Sequence, residues 1–293
     1  MFRGSLVALV TPMQANGDLD LKAFVDFVDW QIAEGTQGLI PVGTTGESPT
    51  LSHEEHHEVV EHCVAAAKGR VPVIAGTGSN STSEAIALTK HAKRAGADAA
   101  LVVTPYYNKP TQEGLYRHFM AIADAADLPI IIYNIPPRSV IDMTVETMAR
   151  LAKHPNIVGV KDATANLARP IHTRLACGPD FCQLSGEDHT AVAYLAAGGH
   201  GCISVTANIA PRLCRQMHDA WAGGNPQEAI AIQDRLVPVH DAMFCETSPG
   251  PVKFGANLLG KVPTDFCRLP MAPVAESTRA RVREAMTGAG LLN

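Results

Sequence analysis

Short apolar runs recur along the chain and alternate with helix-like segments of ten to fifteen residues, the pattern of repeated βα units in a parallel sheet. The runs are Leu6 to Val10, Gly38 to Val42, Val71 to Ala75, Ala99 to Val103, Pro129 to Tyr133, Ile157 to Lys161, Gln183 to Ser185 and Gly201 to Ser204. Eight such units fit a closed (β/α)8 TIM barrel, and the near-continuous apolar character of most runs suits strands covered on both faces. A doubly wound open sheet competes with this reading. It would carry a glycine-rich nucleotide loop after the first strand, and Thr11-Pro12-Met13 is no such loop. Ser52-His53-Glu54-Glu55 has the form of a capping box, and Thr82 or Ser83 can cap the helix that holds Glu84. After the eighth strand the alternation stops. Pro211 to Ala222, Pro226 to Ala242 and Ala275 to Met286 read as helices with no strand between them, and Gly223-Gly224-Asn225-Pro226 is a cluster of breakers. The expected division is a barrel over residues 1–224 and a C-terminal helical layer over 225–293.

Composition narrows the class. With 293 residues, 46% of them hydrophobic, the chain has material for one large core or two small ones. The net charge of −5 comes from intermixed signs without a basic run, which argues against nucleic acid and against a polybasic membrane patch. No apolar run is long enough to span a bilayer, and no secretory signal opens the chain. The seven cysteines are scattered without a Cys-x-x-Cys pair and read as small buried hydrophobes in a reducing compartment, so the cytoplasm is expected.

In a (β/α)8 barrel the chemistry collects where the strands end. Here those ends are polar: Gly43-Thr44-Thr45-Gly46-Glu47 after strand two, Thr104-Pro105-Tyr106-Tyr107-Asn108 after strand four, Tyr133-Asn134-Ile135-Pro136-Pro137-Arg138 after strand five, Lys161 on strand six, Gly186-Glu187 after strand seven and Ser204 on strand eight. Lys161 is the most telling. It closes the apolar strand Ile157-Val158-Gly159-Val160, where burial favours the free amine that attacks a ketone to form a Schiff base. The alternative is a structural ion pair with Asp162. Glycines at 43 and 46 allow close approach of a ligand, so Thr44 and Thr45 can hold a carboxylate; Tyr133 can move a proton, and Arg138 can grip a second carboxylate. The set suits a keto acid.

Gly38-Leu39-Ile40-Pro41-Val42-Gly43-Thr44-Thr45-Gly46-Glu47, Tyr133-Asn134-Ile135-Pro136 and Gly159-Val160-Lys161-Asp162-Ala163-Thr164 resemble the signatures of the pyruvate-dependent class I aldolase superfamily, and within it the dihydrodipicolinate synthase family. The likeness runs through Val102 to Asn108, Gly198 to Val205 and Leu269-Pro270-Met271, essentially the whole chain. It implies a Schiff base between Lys161 and pyruvate, a hydroxyl relay of Tyr133, Thr44 and Tyr107, and condensation with L-aspartate 4-semialdehyde held by Arg138. Thr45 would bind the pyruvate carboxylate through its amide, with the Gly186 and Ile203 backbones lining the pocket. No metal or organic cofactor is implied, because the lysine imine acts as the electron sink. The resemblance also implies a homotetramer built as a dimer of tight dimers, with Tyr107 reaching into the neighbouring subunit. A second set, Ser48, Pro49, His53, His56, Asn80, Glu84 and Tyr106, is similar to the L-lysine inhibitor site of lysine-sensitive members. Two departures stand out: Asp162 where many members have Glu, and Ser248 and Gly250 where Asn and an apolar residue are common, which puts the packing there in question.

Rival readings remain at this level. An N-acetylneuraminate lyase or another keto-acid aldolase would share the lysine, the tyrosine and the fold, and Arg138 discriminates against it. His53-Glu54-Glu55-His56-His57 also fits the H-E-x-x-H motif of zinc hydrolases, without a recognisable third ligand downstream. A non-catalytic regulator on a barrel scaffold is opposed by the joint presence of Lys161, Tyr133 and Arg138.

Overall fold

A computed structural model describes residues 1–292. Its strands are β1 (Gly4–Ala8), β2 (Leu39–Ile40), β3 (Ile74–Gly76), β4 (Ala99–Val103), β5 (Ile130–Asn134), β6 (Ile157–Asp162), β7 (Cys182–Ser185) and β8 (Gly201–Ser204). They form one parallel sheet in the order β2-β1-β8-β7-β6-β5-β4-β3. An isolated parallel bridge between Leu39 and Val73 joins its two edges, so the sheet closes into the eight-stranded barrel expected from the sequence.

Three strands are shorter than or shifted from their apolar runs, each for a local reason. β2 stops at Ile40 because Pro41 has no amide to donate and Val42 turns to a left-handed φ of 49°. At the end of the first run, Val10 donates to the Asn208 side chain (3.0 Å) instead of a strand. Val73 meets β2 by the bridge to Leu39, but its amide donates to the Asp98 side chain (2.8 Å) instead of a strand.

Alternation along the strands sorts the core into two layers. Leu6, Ala8, Ile40, Leu101, Ile131, Leu184 and Ile203 fill the barrel interior together with Tyr133. Val7, Leu39, Val102, Ile130, Ile132 and Val160 face outward against the helices. That outer layer continues without a break into Leu236, Val239, Met243, Val252, Phe254, Val282 and Met286, so the C-terminal helices share the barrel's core.

The helices Pro211–Ala222, Pro226–Met243 and Glu276–Gly288 match three of the expected segments closely. A further helix, Gly250–Leu258, was not foreseen. Its Gly250-Pro251 start reads as a breaker, yet proline in a first turn loses no helical hydrogen bond. Gly250 itself is required, since a Cβ there would come within 2.8 Å of Val274 Cγ1. The capping box at Ser52 and Glu55 is present, whereas the helix Thr82–Ala95 takes Ser81 as its N-terminal cap residue and the Thr82 hydroxyl turns instead to His118 Nδ1 (2.9 Å).

No described helix is long and apolar enough to cross a membrane. All seven cysteines are free. Burial pushes the thiols of Cys63, Cys202 and Cys214 far up, and that of Cys182 up to about 11.

Candidate active site

Tyr133 and Lys161 are registered side by side where β5 and β6 end, and both point into the barrel. The Lys161 Nζ lies 4.1 Å from the centroid of the Tyr133 ring. Lys161 is 5% exposed and its amine has no carboxylate within ion-pair distance among the described residues. Asp162 faces the other side of the sheet. Its carboxylate accepts from the Thr164 hydroxyl (2.6 Å), the Thr164 amide (2.9 Å) and Arg169 Nε (3.2 Å). The structural ion pair that the sequence allowed for Lys161 is therefore not formed.

A glycine on the loop after β7 gives this lysine room. A Cβ at Gly186 would lie 3.2 Å from Lys161 Cε and 2.8 Å from Ala163 Cβ. Ile203, fully buried on β8, packs in the same interior layer as Tyr133.

The loop after β2 winds tightly. Gly46 and Ser48 both donate to the Gly43 carbonyl, and Glu47 donates to that of Thr44. The amides of Thr44 and Thr45 find no acceptor among the described residues, although Thr45 is buried. Free amides in a Gly-flanked turn are a natural cradle for an anion.

A cavity of about 380 Å³ opens here, lined by Gly43, Thr44, Tyr133, Arg138 and Ser139. Arg138, exposed on the short helix Pro136–Ser139, makes no side-chain hydrogen bond or ion pair with any described residue. The same cavity is also lined by Ser48, Pro49, His53, His56, Glu84 and Tyr106. In that part His53 Nε2 meets Glu84 Oε1 at 2.6 Å, and Glu84 also accepts from the Ser79 hydroxyl. Those two bonds, the serine's first, hold the Glu84 carboxyl below the usual range. His56 Nε2 donates to the Gly76 carbonyl (2.8 Å) while its Nδ1 is buried without a partner. Burial lowers its pKa to about 4, so the ring is neutral near pH 7.

Comparisons with known proteins point to one family. The model of the dihydrodipicolinate synthetase family matches residues 1–289. The chain is 70% identical over 292 residues to the 4-hydroxy-tetrahydrodipicolinate synthase of Acidiphilium cryptum, with all of both chains covered. The chain belongs to the dihydrodipicolinate synthase family. Among solved structures of that family, it superposes on the chloride-inhibited enzyme from Acinetobacter baumannii complexed with pyruvate with a TM-score of 0.97, at 46% identity over the whole of both chains. On the Cyanidioschyzon merolae enzyme with lysine bound the TM-score is 0.95, at 41% identity with 99% of each chain covered.

Some residues that the family resemblance assigns lie outside the cavity of this dihydrodipicolinate synthase fold. Tyr107 has a φ of 70° and is 91% exposed, so its ring projects away from Tyr133 and Thr44. Asn80 is half-buried and its carbonyl accepts from Asn108 Nδ2 (2.8 Å). The two histidines of the H-E-x-x-H match have other partners: His53 bonds Glu84, and His57 stacks on His91 with centroids 3.7 Å apart.

Sequence reading also missed a buried ion pair. Lys253, 0% exposed, places Nζ 2.6 Å from Glu47 Oε1. The only signal was a lysine within the apolar start of an unexpected helix, 206 positions from its partner.

Proposed function

We propose that the chain condenses pyruvate with L-aspartate 4-semialdehyde, the reaction of 4-hydroxy-tetrahydrodipicolinate synthase, through a Schiff base on Lys161. The observation that carries this reading is the Lys161 amine, buried against the Tyr133 ring with no carboxylate among the described residues to occupy it.

The amine lone pair attacks the keto carbon, and loss of water leaves an iminium. That cation draws electrons from the neighbouring methyl, which loses a proton and becomes an enamine. The enamine carbon adds to the aldehyde of the second substrate. The substrate's own amine then attacks the imine carbon, displaces Lys161 and closes the ring. Tyr133, with Thr44 beside it on the cavity wall and Tyr107 from a neighbouring subunit, moves the protons. The free Thr45 amide receives the pyruvate carboxylate, the Gly186 and Ile203 backbones line the pocket, and Arg138, unpaired among the described residues, receives the semialdehyde carboxylate.

A tyrosine that is 91% exposed supports the shared site because its ring is free to reach a neighbouring subunit, and its left-handed backbone is of the kind that clusters at functional sites. A second contact, giving a dimer of tight dimers, is supported by exposed Ile171 and Leu175 on the helix Arg169–Cys177, with exposed Leu167 in the turn before it. L-lysine is the proposed inhibitor, with Glu84 receiving its α-ammonium, Asn80 and Tyr106 its carboxylate, and His56, Ser48 and the Pro49 carbonyl its distal amine. His56 held neutral at physiological pH suits an acceptor at its unpaired Nδ1.

The test is reductive trapping. Pyruvate followed by borohydride should leave one stable adduct, and peptide mapping should place it on Lys161. An adduct on another lysine, or none, would overturn the mechanism. Turnover with L-aspartate 4-semialdehyde but not with N-acetylneuraminate would separate this reading from that of a sialic acid lyase.

A further inference from the structure

The loop that presents Thr44 and Thr45 is bracketed by two non-glycine residues in the left-handed region, Val42 (φ 49°) and Glu47 (φ 59°). L side chains avoid this region, so such a backbone persists only where surrounding contacts hold it. Within the loop the hold is tight: Thr11 Oγ1 donates to the Gly46 carbonyl (2.7 Å), and a Cβ at Gly46 would come within 3.1 Å of the Leu9 carbonyl oxygen. At Glu47 it comes from far along the chain. One carboxylate oxygen takes the Lys253 ammonium at 2.6 Å, and the other accepts the Arg268 amide at 3.0 Å.

Lys253 belongs to the helix Gly250–Leu258, and Arg268 to the segment that follows it. The Arg268 guanidinium donates in turn to the Gly17 carbonyl, to the Thr50 carbonyl (2.8 Å) and to Glu55 (2.6 Å). The C-terminal segment thus grips the chain on both sides of the short helix Ser48–Thr50. Among the described residues, the Glu47 and Lys253 side chains bond each other and the Arg268 amide and none of the proposed reacting groups.

We infer that Glu47, Lys253 and the Arg268 amide form a positioning clamp, by which the C-terminal helical layer holds the Thr44 hydroxyl and the Thr45 amide in the geometry that captures the substrate carboxylate. This rests on the proposed role of that loop in pyruvate binding. An ion pair buried this completely is a poor source of stability compared with well-packed apolar residues, whereas a carboxylate with both oxygens engaged fixes one backbone geometry.

Two variants separate positioning from stability. Glu47→Leu combined with Lys253→Met replaces the pair by apolar groups of similar volume. It should melt near the parent temperature yet raise the pyruvate KM about tenfold or more, since small displacements of a binding group cost that much. Glu47→Gln keeps an acceptor for the Arg268 amide but leaves the Lys253 charge uncompensated. It should melt well below the parent and, assayed below that transition, keep the pyruvate KM within about twofold.

Kinetics are read against borohydride trapping in each protein. A KM that follows the melting temperature across the two variants, while the parent still traps pyruvate on Lys161, would overturn the clamp and leave the Schiff-base reading standing. A parent that traps no pyruvate would remove the reaction on which both depend. The crossed result, with KM raised only in the stable apolar pair and the adduct still on Lys161, would support the clamp.

Discussion

Two lysines are buried in this barrel, and they are put to opposite uses. Lys253 is 0% exposed with a carboxylate at 2.6 Å; Lys161 is 5% exposed with an aromatic face at 4.1 Å and no carboxylate within ion-pair distance among the described residues. Burial alone therefore does not mark a reactive amine. A buried ammonium with a close counter-charge is occupied, while an unpaired amine beneath a cavity wall is available to an electrophile.

The sharpest way to break this contrast is to remove each amine in turn. Lys161→Arg should keep the far-ultraviolet circular dichroism of the parent and lose turnover on the order of a thousandfold or more, because a guanidinium cannot form the imine. Residual activity within tenfold of the parent would show that the contrast has been drawn between the wrong residues.

Stability should respond the other way round. Lys253→Met leaves the Glu47 carboxylate buried without its ammonium and should cost about 3–5 kcal/mol in denaturant unfolding. Lys161→Met strands no partner charge, so its unfolding midpoint should equal or exceed that of the parent. Equal losses in the two variants would erase the distinction.

Acid sharpens the comparison by probing buried bases that are neutral from the start. Burial lowers the pKa values of His56, His118 and His218 from 6.5 to about 4. Since the folded values lie below the unfolded ones, the unfolded chain binds these protons first as pH falls. Their contribution is intact above about pH 6.5 and is lost on the way to pH 4. At pH 5 each should have cost on the order of 2 kcal/mol, read as a falling midpoint between pH 7 and 5. His118→Asn and His218→Gln should flatten that slope.

The smallest expected effect lies in the part of the cavity lined by Ser48, His53, His56 and Glu84. Millimolar L-lysine should lower turnover partially and without simple competition against pyruvate, a coupling of about 1–3 kcal/mol. Glu84→Thr or His56→Lys should abolish the response while most of the uninhibited activity survives. Full activity of the parent at saturating lysine would confine the proposed chemistry to the Lys161 part.

The barrel was legible because its strands are short apolar runs that suit a doubly covered parallel strand, because helix-like segments alternate with them eight times, and because the turns between them carry Gly, Pro or a capping residue. Lys161, Tyr133, Arg138 and the Gly43–Glu47 loop were legible because polar residues closing such runs stand out against them. The helix Gly250–Leu258 was not, since a Gly-Pro start looks like a stop. Neither was the meeting of Glu47 with Lys253: no local periodicity encodes a contact between residues 206 positions apart. Tyr107 shows a third limit. Its place after Pro105 and Tyr106 was plain, but that its ring faces outward follows only from the folded chain.

The free cysteines have a use that does not depend on the catalytic reading. Cys63 on the helix His53–Ala67, Cys182 on β7, Cys202 on β8 and Cys214 on the helix Pro211–Ala222 are all buried, with thiols too weakly acidic to ionise in place. An alkylating reagent reaches each only when the element around it opens. The four sulfurs are thus native gauges of local breathing, one behind the early strands and three grouped around β7 and β8, and mass spectrometry of their labelling order would tell which of these two regions loosens first.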